Sequence, residues 1–313
     1  MARRKALIVG IDTLAGSNLG LDWADRCEVI GTACRRRFAL DGCRIIAVTS
    51  VDHGLLAEII ETECPQSIVY CGEISNSAWD WPQDVDLATE SQRLTAVCRA
   101  AKCCGSRVIV VSSDAACSGH YLFSRENYAG VDPTAITVRE IEQASAVDAL
   151  IVRTHLFGWS PTANCWAERI WTAIDESRMV QVSAARYATP VLATDFAHLL
   201  WKAQSQGLSG IHNLAGAERA SMWQFAMALA RAAGLPLRTM RLDPALVGVD
   251  PGLRNQARFS QETSLDSRRL QSVLQTPLPR LQESIERFFE QAASGHRQRI
   301  AASLVAPTLT SAA

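Results

Sequence analysis

Seven residues near the start of the chain, Gly10-Ile-Asp-Thr-Leu-Ala-Gly16, have the composition and spacing to hold a phosphate. They follow a strand-like run directly and lead into a helix-like segment, the place where a pyrophosphate meets a helix N-terminus. Such a loop needs small residues that let backbone N–H groups approach the ligand, and Gly10 and Gly16 meet that need. The middle position of the G-x-x-G-x-x-G spacing is Thr13, whose β-branched side chain either narrows the phosphate site or gives the loop another shape. The alternative is a tight strand-to-helix turn that holds no ligand. The expected cofactor-binding set is Gly10, Thr13, Leu14 and Gly16, with Cys71 after the fourth strand and Arg35 and Arg36 after the second.

Those arginines decide the expected cofactor. The end of the second strand, Gly31-Thr-Ala-Cys-Arg-Arg-Arg37, carries no acid to accept the ribose 2′-OH of NAD(H). Guanidinium forks match phosphate oxygens, so a dinucleotide bound here is expected to be NADP(H) rather than NAD(H). A solvated basic turn is the other reading of the same residues.

The elements that must position this loop are legible as alternation. Apolar runs at Ala6–Val9, Glu28–Ile30, Ile45–Val48, Ser67–Tyr70, Val108–Val111 and Ala149–Val152 alternate with helical stretches. One such stretch is Val85 to Lys102. This is the pattern of an α/β, doubly wound parallel sheet covered on both faces. After Arg153 the text changes to helical segments at Cys165–Asp175, Asp195–Gln204, Met222–Ala233 and Leu281–Ala293, separated by loops rich in Thr, Pro, Gly and Asp. The expected organisation is a Rossmann domain over 1–153, a smaller and mostly helical substrate lobe over 154–295, and a frayed tail over 296–313.

Composition narrows the classes. With 313 residues, 48% of them apolar, the chain can bury a full core, and a formal charge of −1 with mixed signs gives no basic face for nucleic acid. No apolar run reaches the roughly 18–20 residues that cross a bilayer, and a cytoplasmic location is expected. The ten cysteines form no CxxC or Cys/His ligand spacing and read as reduced, mostly buried thiols; adjacent Cys103 and Cys104 read as a helix end.

Ser112-Ser-Asp-Ala-Ala-Cys-Ser-Gly119 resembles the STDYVF-x-G segment of the dTDP-4-dehydrorhamnose reductase family, a branch of the extended short-chain dehydrogenases/reductases. Ile151-Val-Arg-Thr-His-Leu-Phe-Gly158 is similar to its I-x-R-T-x-x-x-x-G stretch. Gly210-Ile-His-Asn-Leu-Ala-Gly216 and Ser221-Met-Trp-Gln-Phe-Ala226 resemble its substrate-lobe segments, and Ala257-Arg258 with Ser264-Leu-Asp266 resembles its A-R-P…S-x-L-D pattern. The resemblance covers about residues 5–293. It implies a sugar nucleotide or related small molecule as ligand, and a homodimer or partner enzyme as protein partner.

In that family a Tyr-x-x-x-Lys pair reduces a sugar ketone. Tyr protonates the nascent alkoxide, Lys lowers the Tyr pKa, and a Ser/Thr hydroxyl orients the carbonyl. Ser113 stands at the family's catalytic Thr, with Ser112 beside it. The pair itself is missing: an ungapped count puts Thr137 at the Tyr position and Ile141 at the Lys position, and anchoring on Glu142 gives Thr134 and Val138 instead. Tyr121 with Arg125 is a displaced acid and cation, or simply loop packing. Glu90 stands where the family has Asn. Trp223 and Arg258 are the substrate-binding candidates implied by the resemblance; core packing and an exposed arginine are their plainer readings. His120 is a lone loop histidine, and the Trp-bearing loop Ala78-Trp-Asp-Trp81 either stacks on a nucleobase or covers the sheet edge.

Three functions follow. One is a binding protein for NADP(H) and/or a sugar nucleotide, weakly active or inactive. Another is an active NADPH-dependent reductase of a nucleotide-activated keto-sugar with a rearranged proton donor. The third is a structural protein whose phosphate loop Thr13 closes.

Overall fold

A computed structural model describes residues 4–34, 38–49, 52–82, 85–145, 149–176, 180–235, 240–242 and 262–301. Arg35, Arg36 and Arg258 lie outside the described residues. The elements run in the order β1 (Lys5–Val9), α1 (Leu14–Ala24), β2 (Glu28–Ala33), β3 (Cys43–Ala47), α2 (His53–Glu63), β4 (Ser67–Tyr70), α3 (Leu87–Cys104), β5 (Arg107–Ser113), α4 (Pro133–Ser145) and β6 (Leu150–Thr154). There follow β7 (Leu156–Phe157), α5 (Trp166–Asp175), β8 (Val180–Val182), β9 (Tyr187–Ala188), β10 (Val191–Leu192), α6 (Ala193–Ser205), β11 (Gly210–Asn213), β12 (Ala220–Ser221), α7 (Met222–Ala232) and β13 (Met240–Leu242). The last helices are α8 (Arg268–Leu274), α9 (Leu281–Ala293) and α10 (His296–Ala301).

Seven parallel strands form the central sheet in the order β3-β2-β1-β4-β5-β6-β11. This is the Rossmann-like α/β architecture expected from the alternating runs. All six anticipated strands are present. The seventh, Gly210–Asn213, comes from far beyond residue 153 and pairs with β6, so the chain returns to the sheet after building part of the lobe. The remaining short strands pair two by two, β7 with β10, β9 with β12 and β8 with β13.

Both faces of the sheet are buried, which is why its strands are apolar at nearly every position. On one face Ala6, Ile8, Ile109, Val111 and Val152 pack under α1 and α6. On the other Leu7, Val9, Val108, Val110 and Ile151 pack under α2, α3 and α4. Helix ends follow local chemistry. Asp86 caps α3 by accepting from the Ala88 and Thr89 N–H groups, each at 3.1 Å, and Gly105 ends it in the left-handed conformation at φ +66.

The expected frayed tail is corrected at its start. His296–Ala301 is helical because it has something to pack on: Ile300 is buried, His296 Nε2 lies 3.0 Å from Asn18 Oδ1, and Arg297 sits over the Trp159 ring at 4.6 Å.

Candidate functional site

Strand order reverses between β1 and β4, and ligands of open α/β sheets bind at such a switch point, outside the C-terminal strand ends. The loop from Gly10 to Gly16 lies there. Gly10 has φ +78, and a Cβ on it would stand 2.2 Å from the Cys71 carbonyl oxygen. A Cβ on Gly16 would stand 2.2 Å from the Gly10 carbonyl oxygen and 2.7 Å from Ile11 Cα. Both glycines are therefore demanded by the loop's own packing.

Thr13 resolves the alternatives left by its side chain. It is the N-cap of α1: its Oγ1 accepts from the Gly16 N–H at 3.0 Å and donates to the Gly10 carbonyl at 2.8 Å. The hydroxyl takes one helix-end donor, as an N-cap does. The amides of Leu14 and Ala15, also in the first turn, are the donors an anion would meet.

Beside the loop, Gly10, Thr32, Asp52, Cys71, Gly72 and Arg93 help line a cavity of about 20 Å³. That holds a water and not an adenosine. Cys71 is fully buried, and burial pushes its thiol up, so it lines the cavity as a neutral group. Behind it, Glu90 fills the space left by Gly72, on which a Cβ would lie 2.1 Å from Glu90 Oε1. Burial raises the Glu90 carboxyl above its ordinary range, and it accepts from the Ile74 N–H at 3.2 Å. The first-turn amides suit a pyrophosphate, and the cavity beside them is narrow.

At the ends of β5 and β6 the register sets Ser112 opposite Arg153 and Ser113 opposite Thr154. Ser112 donates to Glu142 Oε1 at 2.6 Å, and Arg153 grips the same carboxylate from Nη2 at 2.6 Å and from Nε at 3.0 and 3.1 Å. Ser112 is thereby a structural hydroxyl tied to α4. Ser113 is fully buried, and its Oγ accepts weakly from the Ala115 N–H at 3.3 Å at the head of a short 3₁₀ turn.

The two positions counted on α4 lie in different surroundings. Thr137 donates to the Pro133 carbonyl of its own helix at 3.1 Å, and Ile141 is buried in the apolar cluster with Val138. Tyr121 and Arg125 do not form a displaced pair. Tyr121 is 64% exposed and meets Tyr128 edge-on, while Arg125 faces Asp266 at 3.6 Å. Trp223 is half-buried against the main core, with its N–H bonded to the Ser183 carbonyl. Trp79 of the Trp-bearing loop is buried, edge-on to Trp166 and to His155.

Two groupings have no counterpart in any local motif. In the first, the Asp114 carboxylate accepts from the Ala78 N–H at 2.9 Å, from Thr263 Oγ1 at 2.5 Å and from His155 Nδ1 at 2.7 Å. The carboxylate, an acceptor, fixes Nδ1 as the protonated nitrogen. His155 is fully buried, and its Nε2 has no hydrogen-bond partner among the described residues. In the second, a cleft of about 460 Å³ opens between the loop after β5 and the lobe. Gly119, His120, Tyr187, Arg219 and Glu262 are among its walls. The Arg219 guanidinium lies 3.5 Å over the Tyr187 ring and is pinned by Glu262 Oε2 at 2.5 and 2.9 Å. This places His120, a lone histidine in the sequence, in a cleft wall.

Fold and site together define an α/β protein with a seven-stranded, Rossmann-like parallel sheet, flanking helices and a cleft beside the loop after β5. The model of the RmlD substrate binding domain family matches residues 5–294, and the chain belongs to that family. Solved structures share the fold. A hypothetical dTDP-4-dehydrorhamnose reductase from Sulfolobus tokodaii has a TM-score of 0.72 at 20% identity, over 88% of this chain and 96% of that one. The dTDP-4-dehydrorhamnose reductase of Bacillus anthracis, in complex with NADP, has 0.72 at 15% identity, over 93% and 100%. The Bordetella bronchiseptica enzyme WbmG, in complex with NAD and UDP, has 0.71 at 16%, over 96% and 97%. No curated protein matches the chain in sequence. Among the described residues no helix is long and apolar enough to cross a membrane, and no group of His, Cys, Asp and Glu is placed to hold a metal ion.

Proposed function

We propose that this protein binds a sugar nucleotide in the cleft beside Arg219 and Tyr187, takes NADP(H) as its dinucleotide, and reduces its ligand weakly or not at all. The observation that carries this reading is the absence of a phenol and an amine from α4 in either register: Thr137 with Ile141, or Thr134 with Val138. An aliphatic hydroxyl is far too weak an acid to take the place of a phenol in that proton transfer. The cleft, at about 460 Å³, falls in the size range of small-molecule sites. The Thr13 cap bond and the narrow cavity lie where the dinucleotide is proposed to bind, and the proposal has the pocket widening to admit it. Arg35 and Arg36 are the groups proposed to meet a 2′-phosphate and Arg258 a nucleotide phosphate, while Asp52 offers a carboxylate on the cavity wall. A cytoplasmic location and a homodimer or partner enzyme complete the proposal.

The test is a thermal-shift titration with NADPH, NADH, UDP and a dTDP-sugar on wild type and Thr13→Gly, beside an NADPH-oxidation assay with a dTDP-4-keto-6-deoxy sugar. A ligand at a hundred times its Kd contributes about 2.7 kcal/mol, a rise in Tm of roughly 5 °C for a chain of this size. The expected result is a rise with dTDP-sugar in both proteins, a larger response to NADPH in Thr13→Gly, and oxidation at background. No shift with any nucleotide, or turnover at a rate ordinary for an enzyme, would overturn it. The Asp114–His155 pair favours a second reading, a reductase with a rearranged proton donor, because a proton taken up at His155 Nε2, buried without a partner among the described residues just after β6, would give an imidazolium that the Asp114 carboxylate holds at Nδ1. Turnover that His155→Gln abolishes would carry that reading.

A further inference from the structure

The C-terminal ends of α2 and α3 bring two thiols into contact on the side of the sheet away from the candidate site. Cys64 Sγ lies 3.5 Å from Cys104 Sγ. Cys64 is exposed, Cys104 is half-buried, and the two are 40 residues apart in sequence. Their approach is imposed by the fold. Each cysteine is followed three residues later by the first residue of a strand, Ser67 or Arg107, and those two residues are register partners in β4 and β5. The connecting segments are laced together by Ser106 Oγ donating to the Pro65 carbonyl at 2.6 Å and by the Arg107 N–H donating to the Gln66 carbonyl at 3.1 Å. A second feature marks the position. Cys64 is the C-cap of α2 at φ +40, a left-handed conformation that favours glycine or asparagine. Neighbouring Cys103 is exposed, one residue before the end of α3, and the thiol facing Cys64 is that of the terminal Cys104.

We propose that Cys64 and Cys104 are a modification site, a reversible disulfide that ties the end of α2 to the end of α3. Closing the sulfur separation from 3.5 Å to the roughly 2.05 Å of a disulfide is within reach of side-chain rotation. With hydrogen peroxide as oxidant, the Cys64 thiolate attacks a peroxide oxygen. The S–O bond forms, the O–O bond breaks, and the departing hydroxide takes a proton to become water. The Cys104 thiolate then attacks the Cys64 sulfur; the S–S bond forms, the S–O bond breaks, and a second water leaves after protonation. Two thiols and one peroxide give one disulfide and two waters. Burial, with Cys64 beside it, pushes the Cys104 thiol up to about 11, so the second step is expected to quicken as pH rises.

The experiment treats the full-length protein with hydrogen peroxide, blocks free thiols, digests without reductant, and maps cross-linked peptides by mass spectrometry, with fragment ions separating Cys64 from Cys71. A Cys64–Cys104 link is expected in wild type and in Cys103→Ser, absent from Cys64→Ser and Cys104→Ser, and removed by dithiothreitol. The oxidised protein should melt several degrees higher than the reduced one, a shift both single variants lose. Three results would overturn the proposal: Cys64 carried to sulfinic acid with no cross-link, a link that uses Cys103 instead, or no modification of either thiol.

Discussion

Replacement of Arg153 by methionine tests the most heavily bonded buried charge in the site. Arg153 is 1% exposed and Glu142 is fully buried. The guanidinium makes three contacts to the Glu142 carboxylate, from 2.6 to 3.1 Å, and reaches the Glu126 carbonyl at 3.2 Å. With Arg153 gone, the carboxylate keeps only the Ser112 hydroxyl among these partners, and an uncompensated charge of this kind costs about 3–5 kcal/mol. That is a fifth or more of the stability of an ordinary domain, about 5–15 kcal/mol. For a chain that exposes this much surface, with a slope of about 3 kcal/mol per molar urea, the unfolding midpoint should fall by roughly 1–1.7 M. Pairing the change with Glu142→Met removes both charges, and the double variant should recover to within about 2 kcal/mol of wild type, the residue being the stranded Ser112 hydroxyl and Glu126 carbonyl. Urea unfolding followed by circular dichroism measures wild type, the two single variants and the double variant. A loss under 1 kcal/mol in the single variant, or a double variant as weak as the sum of the singles, would refute the reasoning.

Gly16→Ala should destabilise the ligand-free protein by about 1–3 kcal/mol, because its Cβ meets backbone atoms of Gly10 and Ile11 that have no freedom to turn aside; an unchanged Tm with lost ligand response would give the glycine a purely ligand-facing role. The pH dependence of stability should carry the mark of His296, which burial, with Arg299 beside it, pushes down to about 4. Its folded pKa lies below the unfolded value of about 6.5, so the unfolded chain takes the proton first. The stabilisation is therefore complete above about pH 6.5 and is lost as pH falls toward 4, by about 2–3 kcal/mol in all. His296→Gln should flatten the stability curve in that window relative to wild type, and equal slopes in the two proteins would count against this assignment.

How much of this was legible in sequence depended on the range over which the signal acts. The six strands from β1 to β6 are continuous apolar runs, because both faces of the sheet are covered, and α9 begins and ends where its periodicity does. β11 escaped because Gly210-Ile-His-Asn213 has one strongly apolar residue and takes its place only by pairing with β6. The glycines of the first loop stand out in sequence and are demanded by its packing, yet sequence does not say that Thr13 turns its hydroxyl inward as a cap. Asp114 and His155, 41 residues apart, share no motif, and the partner from Thr263 is 149 residues away. The Arg219 stack on Tyr187 and the thiol contact between Cys64 and Cys104 are likewise made by tertiary structure. A basic residue near an aromatic, or two cysteines at unremarkable spacing, gave nothing to read.

The three donors on Asp114 come from segments with separate tasks: Ala78 from the loop after β4, His155 from the end of β6, and Thr263 from the segment joined to Tyr187 by its own hydrogen bonds. One carboxylate thus referees the positions of three walls. The same segment carries Glu262, which holds Arg219 in the cleft. The cleft wall and the Asp114–His155 pair are thus anchored in one short stretch of chain, residues 262 and 263.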